Sequence, residues 1–433
     1  MVGSVSVHLT AGGGGLDLPR VAWEGGPAYY EAFSYAAGSP LADPSFFPIL
    51  VDFESVTSAE NVATDVSYGA NGYYRLTSDS NMTYIRSAGL IAFPFPGHAG
   101  AGAETVGWNV DDETDINFPQ GWGTGQSFDT LHEQVSGCPG TASLSGALND
   151  GRLKHMNYAK QVSFNGSDNN ARVYVNGTKT SSPDRLPGAT DGRAFALDAT
   201  SLDFYCYTVY ASSYDKANLV DTLGIDNTHL RRAIAYGETG PARIRALQAM
   251  ESPANYQPVY GFVEITNQML PGESAAEGIP ESAPSNAQIA GAVWSNLIHE
   301  ARGIIYFTHD FNYSGSYHVL RDNIGSKTAG VATLNGQVQT LAPVLNTQSY
   351  EWEWSATVKT MTKVHGGYVY CFAMSVYQAT HGTGSRTFIA PPGMAQNGTV
   401  TVLNESRTLT MTDGQFSDAF AAEYTCHIYR MAL

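Results

Sequence analysis

The sequence predicts an α/β protein, a (β/α)₈ TIM barrel followed by a C-terminal antiparallel β-sandwich. Three observations predict it. Eight short apolar runs recur between Phe46 and Asp310. Helical or loop material separates them. After about Ser349 the pattern changes to alternating segments divided by turn residues. The 433-residue length suits one large barrel plus a satellite domain.

The eight runs are Phe46 to Phe53, Gly72 to Leu76, Gly89 to Phe95, Thr105 to Val110, a weak one near His155 to Phe164, Ser201 to Tyr207, Pro258 to Ile265 and Gly303 to Asp310. Residues apolar at successive positions mark strands buried on both faces of a parallel sheet. Helices are predicted over Ser58 to Tyr68, Phe128 to Leu148, Pro241 to Met250 and Asn286 to Ala301, with Ser58 and Ser285 as N-cap candidates. Eight strands favour a closed barrel over an open sheet. The sandwich is predicted from Trp352 to Val358, Tyr368 to Met374, Thr387 to Ala390, Val400 to Leu403 and Tyr424 to Tyr429, with turns at His365-Gly366-Gly367 and Asp413-Gly414. The domains are then an arm or attachment segment (1–44, with glycines at 12–15), the barrel (45–348) and the sandwich (349–433).

Apolar residues make up 43% of the chain, enough to bury a sizeable core. Only 15% of residues are charged, against 45 Gly and 25 Tyr, a profile of secreted or virion-type proteins rather than cytosolic metabolic enzymes. A formal net charge of −17 repels phosphate backbones and excludes nucleic acid as an expected partner, while a neutral glycan is compatible with it. Cys138, Cys206, Cys371 and Cys426 show no CxxC spacing, so zinc is not expected, and a Cys371–Cys426 disulfide is one option for the sandwich. The first residues carry no basic n-region followed by an apolar h-region, and no run of about 18 apolar residues predicts a membrane span. If the protein acts outside the cell, it is then expected to leave by another route, such as release in a phage particle.

In such barrels chemistry sits at the C-terminal ends of the strands. The residues ending the runs are Asp52 and Glu54; Trp108, Asn109, Asp111, Asp112 and Glu113; Asp203, Tyr205 and Tyr207; Glu264; and His309 with Asp310. Glycoside hydrolysis needs two carboxyl groups, one as acid and one as nucleophile or base. Glu113 and Glu264 are the predicted pair, expected about 5–5.5 Å apart as in retaining enzymes. Asp111, Asp112 and Asp115 compete with Glu113, and that acidic cluster also suits calcium. Trp108, Tyr205, Tyr207 and Trp294 are candidate platforms for sugar faces. Asn109, Asp203 and His309 are candidates for hydroxyls, and Asp52, Asp112 and Asp310 for orienting neighbours or touching substrate. Each has a structural alternative: a strand-end Glu also caps helices or pairs with Arg, Arg302 is a candidate partner for such a carboxylate, and tyrosines mostly pack. No GxSxG elbow, P-loop or HExxH occurs, and no cofactor or metal is expected.

Several segments resemble a known family in their order along the chain. They are Asp43 to Ile49 (DPSFFPI), Gly107 to Glu113 (GWNVDDE), Ser201 to Thr208 (SLDFYCYT), Pro258 to Glu264 (PVYGFVE), Val293-Trp294 through Gly303 to Asp310, and the tail segments Leu403 to Thr408 and Phe416 to Phe420. Together they resemble clan-A-like glycoside hydrolases, in the form found in minor tail proteins of actinobacterial phages. The resemblance covers about Asp43 to the C-terminus. It implies an acid/base at Glu113 and a nucleophile at Glu264. It departs from the family pattern where Asn109 and Glu113 are not adjacent, where residues 165–192 form a polar insertion, and at His299-Glu300-Ala301. The implied partners are a host-envelope polysaccharide and other tail proteins, with a homo-oligomer within the tail as an option. The expected location is the virion, or else the extracellular space. The alternatives are a non-catalytic tail module that binds glycan or serves as scaffold, and a bacterial extracellular glycosidase.

Overall fold

The structure is a computed structural model that describes residues 16–112, 150–158, 174–175, 178–179, 197–203, 206–207, 231–250, 254, 256–267, 283–310, 315–376 and 382–433. Eight strands pair in parallel: β1 (Ile49–Asp52), β2 (Gly72–Tyr74), β3 (Ile91–Phe93), β4 (Gly107–Asp112), β5 (Leu153–Tyr158), β6 (Ala199–Leu202), β7 (Val259–Glu264) and β8 (Gly303–Phe307). Their order is β3-β2-β1-β8-β7-β6-β5-β4. A parallel bridge between Ala92 and Thr105 joins β3 to the approach of β4. There the Ala92 N–H donates to the Glu104 carbonyl at 2.8 Å and the Val106 N–H to the Ala92 carbonyl at 3.1 Å. Sequence order is therefore spatial order around a ring, as a barrel requires.

Side-chain alternation divides the strands into lumen and outer faces. Leu50, Tyr74, Ile91, Phe93, Leu153, Tyr260, Phe262 and Ile305 share one buried cluster inside the barrel, whereas Val51, Tyr73, Ala92, Met156 and Val263 belong to the cluster under the helices. Gly72 is needed in the lumen, because a Cβ there would lie 2.6 Å from both Leu50 and Ile91. The segment before β1 closes the base of the lumen. Tyr30, Ala36 and Leu41 join the lumen cluster, and the Tyr30 and Tyr260 hydroxyls meet at 3.1 Å. Residues 30–41 are thus tied to the barrel, while Leu16 and Leu18 pack on the sandwich core.

Helices α1 (Ala59–Ser67), α2 (Met82–Ser87), α3 (Ala233–Thr239), α4 (Pro241–Met250), α5 (Asn286–Ile298), α6 (Thr328–Thr340) and α7 (Ala342–Leu345) accompany the strands. Both expected N-caps form capping boxes, Ser58 with Asn61 and Ser285 with Gln288. The sequence reading left out α6, which is rich in Thr and Gly, poor helix formers. Burial of Val331, Leu334, Asn335 and Val338 on one face holds it instead, and Asn335 accepts from the Tyr306 hydroxyl at 2.7 Å and donates to the Tyr68 carbonyl at 2.7 Å. The helix expected over Phe128 to Leu148 lies outside the described residues.

The C-terminal domain has β9 (Ser349–Tyr350), β10 (Val358–His365), β11 (Tyr368–Ser375), β12 (Gly384–Ile389), β13 (Gly398–Val402), β14 (Arg407–Met411), β15 (Gln415–Phe420) and β16 (Cys426–Ala432). A six-stranded antiparallel sheet, β9-β10-β11-β16-β13-β14, faces the β12-β15 pair. The run Trp352 to Val358 is mostly loop, a correction to the expected strand. Pairing with β11 starts only at Val358, opposite Ser375, while the indole N–H groups of Trp352 and Trp354 donate to the Ile389 carbonyl at 2.8 Å and the Thr362 hydroxyl at 2.9 Å. β11 is buried on both faces. Val369, Cys371 and Ala373 enter the sandwich core, while Phe372 and Met374 pack on the barrel, with the Phe372 ring 6.1 Å from Trp294 of α5. Cys426 pairs in register with Met374 and so lies on the opposite face from Cys371, and all described cysteines are free. Opposite faces exclude the disulfide option.

Inside the sandwich, Phe388 and Phe416 stack with centroids 4.9 Å apart, and Tyr429 lies 5.0 Å from both. Phe416→Ala is expected to lower stability by about 3–5 kcal/mol, measured by denaturant unfolding of the whole chain.

Candidate functional site at the barrel mouth

At the C-terminal end of the barrel the lumen turns polar. β1 delivers Asp52 inward, wholly buried. The residue after β2 is Arg75, whose guanidinium grips Asp52 through Nε at 2.7 Å and Nη2 at 2.5 Å. Its Nη1 bonds Asp112 at the end of β4. Asn157 of β5 donates to the other Asp112 oxygen at 2.8 Å, and Ser201 of β6 donates to Asn157 at 2.7 Å. One chain of contacts thus spans β1, β2, β4, β5 and β6.

A bulge selects which acid joins that chain. The β4–β5 register runs Asn109 with His155, then Asp111 with Met156 and Asp112 with Asn157. Val110 is the extra residue, and it moves Asp112 rather than Asp111 into line with lumen-facing Asn157. Asn109 lies one layer below, accepting from the Tyr74 hydroxyl at 2.6 Å, and its buried Nδ2 has no hydrogen bond among the described residues.

Burial pushes the Asp52 carboxyl up to about 6, against the pull of Arg75; the charges of Asp112, Asp52 and Asp203 hold the guanidinium protonated despite its own burial. At neutral pH the pair is ionised on both sides. His155, behind Tyr74 in the lumen, is pushed down to about 3 by burial. His309, two residues beyond β8, is pushed down to about 4, first by burial and then by the Arg75 charge. It bonds the Phe53 carbonyl through Nε2 at 3.2 Å and packs among Phe307, Phe53 and the half-exposed Tyr317. Phe53 and Arg75, each following its strand, adopt left-handed φ of 51° and 46°. Such conformations are uncommon outside glycine and cluster where function over-determines the backbone.

Glu264 ends β7 and is wholly buried. Its Oε1 accepts from the Tyr207 N–H at 3.2 Å and its Oε2 from the Tyr236 hydroxyl of α3. The Tyr207 hydroxyl in turn donates to Glu423 at 2.7 Å, and Glu423 also accepts the Ala233 N–H at 2.7 Å. A residue of the sandwich therefore fixes the support of the β7 carboxylate.

Asp52, Asn109, Asp112, Asp203, Glu264 and His309 thus gather at one end of the lumen, with Tyr207 against Glu264. Asp310 is buried beside them, its N–H on the Ser316 carbonyl at 2.7 Å. Glu113 and Tyr205, and with Glu113 the expected carboxylate spacing, lie outside the described residues. Two expected sugar platforms are corrected. Trp108 faces outward, its Nε1 3.3 Å from Asp150 and the Arg152 guanidinium 5.0 Å from its ring, because Asn109 takes the lumen position. Trp294 is buried against the sandwich. Arg302 pairs with Glu24 at 2.7 Å and Glu300 at 3.0 Å, at the other end of the barrel. The sequence reading missed Arg75, Asn157, Ser201, Tyr236 and Glu423. Arg75 alone left a signal, as the one cation ending an apolar strand run. Among the described residues no group of three or more His, Cys, Asp or Glu could hold a metal ion, and no helix is long and apolar enough to cross a membrane.

Arg75→Met leaves two carboxylates in the lumen without their counter-charge. It is expected to cost about 3–5 kcal/mol at pH 7.5, and less at pH 5 where Asp52 takes up a proton, by urea unfolding at both pH values. His309 has a folded value below its unfolded one. Its contribution is complete above pH 6.5 and is lost as pH falls through about 4. His309→Gln is expected to flatten that part of the stability profile.

No protein-family model and no curated protein matches the sequence. Among solved structures, the chain is similar to a GH30 endoxylanase from Clostridium papyrosolvens C71, with 11% identity over 90% of this chain and 97% of that one, and a TM-score of 0.43. It is similar to an Anoxybacillus α-amylase, with 9% identity over 90% and 98% and a TM-score of 0.47. It is similar also to an α-amylase from Geobacillus thermoleovorans, with 8% identity over 89% and 98% and a TM-score of 0.48. At these values the likeness is one of general shape, and the barrel is established by its own strand pairing.

Proposed function

We propose that the chain is a glycoside hydrolase of the retaining kind, carried on a phage tail and acting on a polysaccharide of the host cell envelope. Support comes from β1, β4, β6 and β7, which bring the carboxylates of Asp52, Asp112, Asp203 and Glu264 to one end of the lumen, where such barrels perform chemistry. In this reading Glu264 attacks the anomeric carbon, and Glu113, next in the chain after Asp112, protonates the leaving oxygen. Arg75 orients Asp52 and Asp112 and balances their charge. The tail assignment and the actinobacterial host, with arabinogalactan as the candidate glycan, rest on the motif order along the sequence.

A second reading, a non-catalytic glycan-binding or scaffolding barrel, is favoured by one observation. Glu264 and Asp52 have no solvent exposure, and described protein groups bond both of them. Sugar release from host cell-wall polysaccharide separates the readings. Hydrolysis predicts release by the wild type, none by Glu264→Gln, and at least about 100-fold less by Glu113→Gln. No release by any of the three, with glycan binding retained, establishes the second reading. For the tail role, deletion of residues 1–15 is expected to abolish incorporation into particles while the thermal transition is kept; normal incorporation counts against attachment through that segment. Deleting 1–44 is not a clean test, because Tyr30 and Leu41 seal the barrel base.

A further inference from the structure

At the end of the barrel away from the carboxylates, a cleft of about 590 Å³ opens between α4, the end of α5 and the entry to the sandwich. Ile298, Val358 and Met361 line it with apolar surface. Trp352 stands in its wall, half-buried, with its Nε1–H already donated to the Ile389 carbonyl at 2.8 Å. What the indole offers to a ligand is therefore its ring, with no polar demand left.

The polar groups of the cleft divide into spent and unspent. Glu300 is spent on Arg302 at 3.0 Å and on the Ser349 hydroxyl at 2.9 Å. Arg245 is only 9% exposed, and one arm of its guanidinium donates to the Ala22 carbonyl. Its Nη1 is enclosed beneath the cleft surface, without a hydrogen bond among the described residues and ion-paired with Glu24 at 3.9 Å, so Arg245 is spent as well. At the rim Glu351, Glu353 and Lys359 are exposed and have no ion pair among the described residues. Lys359 stands with Glu351 and Glu353 at that rim, which offers a donor beside acceptors and disfavours an anion. The cleft offers one aromatic face, donors and acceptors together.

Few ligand classes match that set. A pyranose ring presents an apolar C–H face, and its hydroxyls both donate and accept. The geometry points to a second saccharide site at the barrel base, which takes a neutral oligosaccharide of about two or three rings, the size such a volume accommodates. The site requires no chemistry at the mouth. Its use is to hold a polysaccharide strand on the protein, whether or not the mouth cleaves it.

The test is isothermal titration of the full-length protein with cellotriose, xylotriose and maltotriose. At least one is expected to bind. Trp352→Ala is expected to weaken that binding at least about 10-fold, and Lys359→Met, an exposed change that spares the fold, by about 3-fold, as loss of one hydrogen-bonding partner does. Glu264→Gln is expected to leave it unchanged, which separates this site from the mouth. Binding that survives Trp352→Ala and Lys359→Met unaltered, or millimolar trisaccharide that does not bind at all, overturns the assignment. So does binding that Glu264→Gln abolishes.

Discussion

The guanidinium of Arg75 lies inside the barrel with Asp52 on one side and Asp112 on the other. Two carboxylates in one lumen repel each other and lose hydration, which a counter-charge of fixed geometry offsets. Arginine supplies it because its fork meets a carboxylate with two parallel N–H bonds and still has an arm for the second. Much of the mouth follows from that placement. Asn157 and Ser201 extend the chain to β5 and β6, and the same positive charge helps keep His309 and His155 neutral. The left-handed backbone at Arg75 itself belongs to the same arrangement.

The β7 carboxylate depends on a different support. Glu264 is held by Tyr207 and Tyr236, and Tyr207 is held by Glu423 from the sandwich. The C-terminal domain is therefore more than an appendage. Its central strand β11 has one face in the sandwich core and the other on α5, and Glu423 reaches from the same domain to the residue beside Glu264. The base of the barrel is tied in the same manner, by Glu24 on Arg302 and by Glu300 bonded to Ser349. The cleft beside Trp352 lies along that second seam. Both seams bring residues from either side of the domain boundary to one place.

The strand-end carboxylates were readable in the chain because a barrel puts all its strand ends on one rim, so Asp52, Asp112, Asp203 and Glu264 needed only the fold to be brought together. The aromatic platforms were not readable. Trp108 and Asn109 are neighbours, and only the register of β4 shows that Asn109 takes the lumen and Trp108 the outer face. The rivalry of Asp111 and Asp112 has the same origin: the bulge at Val110 is a property of strand pairing, and no residue type announces it. The support of Glu264 was invisible for a further reason: Tyr236, which bonds it, is 28 residues away in sequence, and Glu423, which holds Tyr207 beside it, is 159 residues away. Helix α6 escaped notice because its stability comes from burial of one face rather than from propensity.

By itself the sequence determined the fold class. Period-two and period-3.6 patterns, capping serines and glycine turns are local signals, and local signals suffice to order eight strands, their helices and an antiparallel domain. It determined also which acidic residues end strands. Only the tertiary structure decided which side chains face the lumen, which cation balances them, and that Cys371 and Cys426 lie on opposite faces of one sheet. Those outcomes depend on register and on the side of a sheet, and a shift of a single residue exchanges the two faces.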